Sequence, residues 1–180
     1  MLSWITSAGT VVICVTAWLL LYMIATLWVF LYRYVVLNNW LHRERVSLNA
    51  LLSGSDIPGF DSSLYPFVRQ GLGENLMDAC HESAQKESTA FLSPLSAIAS
   101  TAPFVGLFGT IVSILQAFAG FKEGVTLAIV APAISEALIV TAMGIFVAIP
   151  AYWSHLLLKR KAYEVVNAIK IQIDILSARA

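Results

Sequence analysis

Apolar residues along this chain gather into three long runs bounded by charge, not into short alternating segments. No charged residue occurs from Met1 to Tyr32, and the stretch 11–32 exceeds the roughly 20 apolar residues that cross a ~30 Å hydrocarbon core. A second charge-free run extends from Thr89 to Phe121, and a third, from Gly124 to Leu158, holds one acidic residue, Glu136, and one histidine, His155. These runs predict three transmembrane helices near 11–32, 96–120 and 127–157. Between the last two, Gly120-Phe121-Lys122-Glu123-Gly124 has flanking glycines that suit a tight turn, so an antiparallel hairpin with a short turn at 121–126 is expected. The third run, at 1.5 Å per residue, reaches about 50 Å and outruns the bilayer, which predicts a helix continuing over 158–180. Val166, Ile169, Ile173 and Leu176 lie on that tail at helical spacing. Such a stripe serves either self-association or packing on the chain's own segment between the first two spans.

That segment, 33–95, contains the breaker cluster Ser53-Gly54-Ser55-Asp56-Ile57-Pro58-Gly59, which predicts a loop. Leu72, Leu76, Cys80, Ala84 and Phe91 then outline one face of an amphipathic helix. Ser93-Pro94 reads as an N-cap followed by proline at the first helical position, opening the second span.

Composition agrees with lipid as the solvent: 58% of residues are hydrophobic and 12% charged, against about a quarter charged in soluble domains. Eleven basic and eleven acidic residues cancel, so net charge points to no nucleic-acid or acidic-substrate partner. Their distribution is informative. Arg33, Arg43, Arg45, Arg69, Lys86, Lys159, Arg160, Lys161, Lys170 and Arg179 fall on one side of the predicted spans, and only Lys122 on the other. By the positive-inside rule the first side is cytoplasmic, which predicts an N-out, C-in topology with a periplasmic N-terminus at 1–10 and a cytoplasmic segment at 33–95. Trp28, Tyr32, Tyr34, Trp40, Tyr152 and Trp153 fit interfacial anchors. The N-terminus has no basic n-region or small-residue cleavage site, so its apolar run is expected to be a retained span. Cys14 and Cys80 fall in a span and a cytoplasmic segment and are not expected to pair.

Small residues recur on the second span at Ser96, Ala99, Ala102, Gly106, Thr110, Ser113, Ala117 and Gly120, with Gly109 a further helix-packing candidate, and on the third at Ala133, Ala137, Thr141, Gly144, Ala148 and Ala151. Small faces let helices approach closely, which matters because association in lipid depends on van der Waals packing. The two stripes either pack on each other or leave a face for another chain. Glu136 is the one ionisable carboxylate at depth, costing about 2.5–3.5 kcal/mol near a span's centre. It is a candidate proton-carrying group or an interhelical hydrogen-bond partner. At 100° per residue, Glu136 and Thr141 lie about 140° apart, so they cannot meet the same partner. Thr110 and Thr141 can orient a water wire or bond back to their own helices. Pro103, Pro132 and Pro150 are candidate kinks. Glu74, Asp78, Cys80, His81 and Glu82 match no strong metal motif and read as a solvated face, and no cofactor is expected. No phosphate loop, nucleophile elbow or zinc signature is present, so an enzyme is not expected.

The segment Ala102-Pro103-Phe104-Val105-Gly106-Leu107-Phe108-Gly109-Thr110, followed by 131–144 (APAISEALIVTAMG) and Ala148-Ile149-Pro150-Ala151, resembles the ExbB/TolQ branch of the MotA/TolQ/ExbB proton-channel family over roughly 94–160. Ser113-Ile114 and Ala133 depart from the tryptophan-glycine pair and the glycine common in that family. The resemblance implies a multi-pass inner-membrane protein of a Gram-negative bacterium. It implies a homopentamer whose second and third helices ring the single spans of an ExbD- or TolR-like partner. It further implies that proton flow energises a TonB- or TolA-like protein, with Thr110, Thr141 and Glu136 on the proton pathway. A non-conducting scaffold that clamps a partner helix is the reading from another class.

Overall fold

The computed structural model describes residues 10–70, 74–119 and 127–179, and among these all regular structure is helical. The helices are α1 (Thr10–Leu52), α2 (Tyr65–Gln70), α3 (Glu74–Ser88), α4 (Leu92–Ala119) and α5 (Leu127–Ser177). Three of the helical stretches are long and apolar enough to cross a membrane. The expected turn at 121–126 lies outside the described residues. Contacts divide the chain into two compact units, one of Met1–Trp28 with Ser93–Ser154 and one of Val29–Leu92 with His155–Ala180.

In the first unit, Val12, Val15 and Leu19 of α1 pack with Ala102 of α4 and with Val140, Val147 and Ala148 of α5. The α1 positions recur at three- and four-residue steps, the spacing that keeps one helical face toward its neighbours. Phe104, Phe108, Phe146 and Ile24 face outward and are exposed. In water such apolar surface would drive aggregation, whereas a bilayer solvates it while the helices satisfy every backbone group internally.

The second unit is built on three buried stripes. On α1 the stripe is Arg33, Leu37, Trp40, Glu44, Ser47 and Leu51, and on α5 it is Leu158, Ala162, Val165, Ile169, Gln172 and Leu176. The tail stripe is thus taken up by the chain's own segment: Ile169 and Leu176 are buried, and Val166 and Ile173 half-buried. On α3 the buried face is Met77, Cys80, Ala84 and Ser88. This corrects two expected members of that face. Leu76 is only half-buried, and Phe91 lies beyond the helix, exposed and with a left-handed φ of 67°. A turn closed by the Leu92 amide on the Thr89 carbonyl separates α3 from α4.

The helix expected to open at Pro94, with Ser93 as its N-cap, begins two residues earlier, at Leu92, so Ser93 lies inside it. Pro94 therefore sits in the first turn of α4, where a missing N–H removes no intrahelical bond. Pro103 lies inside α4, and Pro132 and Pro150 inside α5, and both helices continue past them.

Candidate functional site

Two glycines set the closest approach of α4 and α5. A Cβ at Gly144 would lie 2.7 Å from the Ala102 carbonyl oxygen and 3.0 Å from the Gly106 Cα. One at Gly106 would lie 3.0 Å from the Val140 oxygen and 3.1 Å from the Gly144 Cα. Backbone thus meets backbone at this crossing, the arrangement small residues permit in lipid. A Cβ at Gly109 would fall 2.8 Å from a Val140 methyl and 3.0 Å from one of Val15, so this glycine admits α1 and α5 side chains. Ala137 is fully buried and Ala148 nearly so, whereas Ser113 and Ala117 are half-buried. The middle of the two small stripes, around Ala102, Gly106, Thr141 and Gly144, therefore packs together within the chain, while Ser96 is exposed and Ala99 and Ala133, like Ser113 and Ala117, are only half-buried.

One helical turn past Gly106, the close approach brings two hydroxyls together. Thr110 Oγ1 is hydrogen-bonded to Thr141 Oγ1, and it also lies 3.1 Å from the Ala137 carbonyl and 3.2 Å from its own Gly106 carbonyl. Thr141 Oγ1 lies 3.4 Å from the same Gly106 oxygen. The hydroxyls bond across the helix pair as well as back to the helix. Thr110 is buried and Thr141 half-buried. Ser113, one turn further on, donates to the Gly109 carbonyl at 2.7 Å and so bonds only within α4.

Glu136, expected about 140° around α5 from Thr141, does not join the hydroxyl pair. It is half-buried and makes no hydrogen bond or ion pair among the described residues. Chemically, the first unit offers a pair of hydroxyls able to accept and pass on hydrogen bonds, and a separate carboxylate whose partner is not among the described residues of its own chain.

Sequence reasoning missed a second polar centre, in the other unit. The fully buried Glu44 carboxylate accepts four bonds: from Trp40 Nε1 at 3.1 Å, the Ser63 amide at 2.8 Å, Ser62 Oγ at 2.8 Å and Gln172 Nε2 at 3.0 Å. Gln172 Oε1 in turn accepts from Ser47 Oγ at 2.7 Å, and Ser47 Oγ accepts from the Gly59 amide at 2.9 Å. This network ties α1, the 53–64 loop and α5 together. The available signal was positional: Glu44 falls on the buried α1 stripe with Leu37, Trp40 and Leu51, where a lone carboxylate needs donors. Arg33 lies on that stripe too, and its Nη2 donates to the Glu87 and Ser88 carbonyls at 2.8 and 2.9 Å, at the C-terminus of α3. Beside the network, burial pushes the Cys80 thiol up to about 11, and the Glu44 carboxylate adds to the rise.

Residues 62–171, which include both glycines, both threonines and Glu136, match the MotA/TolQ/ExbB proton channel family. The chain belongs to that family. Among similar curated proteins, the biopolymer transport protein ExbB-like 1 of Helicobacter pylori (strain J99) is 43% identical over 178 residues, covering 96% of this chain and 94% of that protein. The Tol-Pal system protein TolQ of Pseudomonas aeruginosa is 43% identical over 96 residues, 52% of this chain and 40% of that protein. The biopolymer transport protein ExbB of Pseudomonas putida is 56% identical over 59 residues, 32% of this chain and 18% of that protein. Family membership makes the chain a proton-channel-type membrane subunit.

Proposed function

We propose that this chain is the channel-forming stator subunit of a proton-driven motor in a Gram-negative inner membrane. With an ExbD-like single-span partner it would convert proton motive force into mechanical work on a TonB-like protein. The observation that carries the reading is the Thr110–Thr141 hydroxyl pair, held at a glycine crossing inside the family-matched segment, with the Glu136 carboxylate, which has no partner among the described residues, on the same helix as Thr141. Hydroxyls at bilayer depth can relay hydrogen bonds but neither gain nor lose a proton near neutral pH. A titrating group is needed as well. Glu136 supplies one, and a partner helix would supply another. In this reading the subunits ring the partner as a pentamer, N-terminus outside and C-terminus inside.

The TonB-energising role is favoured over the Tol-Pal role because the ExbB-like relative aligns along nearly the whole chain, whereas the TolQ relative aligns along about half. The test is proton flux into liposomes that carry the chain with its co-expressed partner. Glu136→Gln or Thr141→Val should abolish flux while the purified complex keeps its mass. Unchanged flux in both variants, or loss of flux only together with disassembly, would favour a scaffold that clamps a partner helix.

A further inference from the structure

We propose that the second unit binds a phosphate ester, in a cleft between α3, the turn that follows it, and α5. The cleft encloses about 300 Å³, at the lower end of ligand-site volumes. Its polar lining comes from His81, Gln85, Ser88, Thr89, His155, Lys159 and Tyr163, and no aspartate or glutamate lines it. The local charge is therefore cationic.

Two features point to an anionic, hydrogen-bond-accepting guest, and a third to a hydrogen-bond donor elsewhere on it. Lys159 makes no ion pair or hydrogen bond among the described residues, whereas its neighbours Arg160 and Lys161 are held by Glu164 and Asn38. His155 Nδ1 lies 3.0 Å from the Leu92 carbonyl, so this nitrogen carries the proton and Nε2 is left for a ligand. His81 Nδ1 is enclosed and has no hydrogen-bond partner among the described residues. An orphaned buried N–H is rarer than an under-satisfied acceptor, which favours the proton on Nε2, where it can be donated. A phosphate would thus meet the Lys159 ammonium and the His81 Nε2–H, and a hydroxyl or ammonium elsewhere on the ligand would meet the bare His155 Nε2.

The rest of the lining is apolar, Leu92, Ala162 and Val166. A polar rim over an apolar floor suits a phospholipid headgroup with the start of its acyl chain. In the proposed topology Leu92 and His155 both lie at the cytoplasmic ends of spans, where anionic headgroups are found. A soluble phosphate ester offers the same anion, so the test separates the two sources.

Purified, delipidated full-length protein in detergent would be treated with diethylpyrocarbonate, and carbethoxylation of each histidine followed by peptide mass spectrometry. The exposed His42, the third of the chain's three histidines, is the internal control. Short-chain phosphatidylglycerol should slow modification of His81 and His155 about fivefold and leave His42 unchanged. Lys159→Gln, at an exposed position, should raise the half-protecting concentration about tenfold. Protection by the lipid alone assigns the site to headgroups, and equal protection by inorganic phosphate assigns it to soluble phosphates. Either result upholds the phosphate site. Equal protection by the matching diacylglycerol, which lacks phosphate, would overturn the proposal, as would no protection by any probe or protection indifferent to Lys159→Gln.

Discussion

Replacing Gly144 by alanine adds a single methyl group, and the structure says where it would go. The new carbon would lie 2.7 Å from the Ala102 carbonyl oxygen, against roughly 3.3–3.6 Å for an ordinary carbon–oxygen contact. Because the obstacle is backbone on a helix, no side chain can rotate aside. The two helices must part by a few tenths of an ångström or more. Forced overpacking costs about 1–3 kcal/mol, while alanine's better helix propensity returns at most about 1 kcal/mol. The net destabilisation is about 1–2 kcal/mol, which lowers the melting temperature of a chain this size by about 2–8 °C. Parting the helices also lengthens the Thr141-to-Gly106 contact, which at 3.4 Å is already near the limit of a hydrogen bond. The assay is thermal unfolding of the purified protein in detergent, followed by circular dichroism, with Gly59→Ala as control. At Gly59 the atoms nearest the added carbon all belong to Ser47, the first at an ordinary 3.5 Å, so that variant should melt like the parent. A Gly144→Ala protein as stable as the parent would refute the idea that backbone contact sets the α4–α5 crossing.

Glu44→Gln should destabilise the second unit by about 2–4 kcal/mol, because an amide nitrogen would then face one of the four donors whose bonds the carboxylate accepts; chemical denaturation followed by tryptophan fluorescence reports the loss. Arg33→Met, which leaves the Glu87 and Ser88 carbonyls without their guanidinium donor, should cost about 1–3 kcal/mol and raise amide hydrogen exchange in the last turn of α3 more than elsewhere in the unit. Cys80, with its thiol raised to about 11, should resist maleimide at pH 7.5 until the protein unfolds. Its raised value also stabilises the fold fully below about pH 8.5, the unperturbed thiol value, and that contribution fades as pH climbs toward 11. Denaturation midpoints of the parent and Cys80→Ala across pH 8–11 should therefore converge as pH rises.

Three long apolar helices, the 53–59 breaker loop and the small residues at Gly106, Thr110, Thr141 and Gly144 were all legible in the sequence. Runs of apolar residues long enough to cross a bilayer need no tertiary context, since lipid solvates every outward face alike. The 102–110 and 131–144 segments carried the family resemblance for a similar reason: their small, polar and proline residues stand out against an otherwise uniform apolar background.

Which faces meet was left to the tertiary structure. Inside a membrane span, a residue packed on another helix and one facing lipid are both apolar, so periodicity carries little directional signal. Only the folded chain shows the middle of the two small stripes packed together, with Thr110 bonded to Thr141 and Glu136 apart from both. In the second unit, Val166, Ile169, Ile173 and Leu176 fit self-association and internal packing equally well until α1 was seen to cover α5. Glu44 and Arg33 read as ordinary charged residues because their burial depends on donors and acceptors 18 to 128 positions away, and no local pattern can encode a partner at that separation.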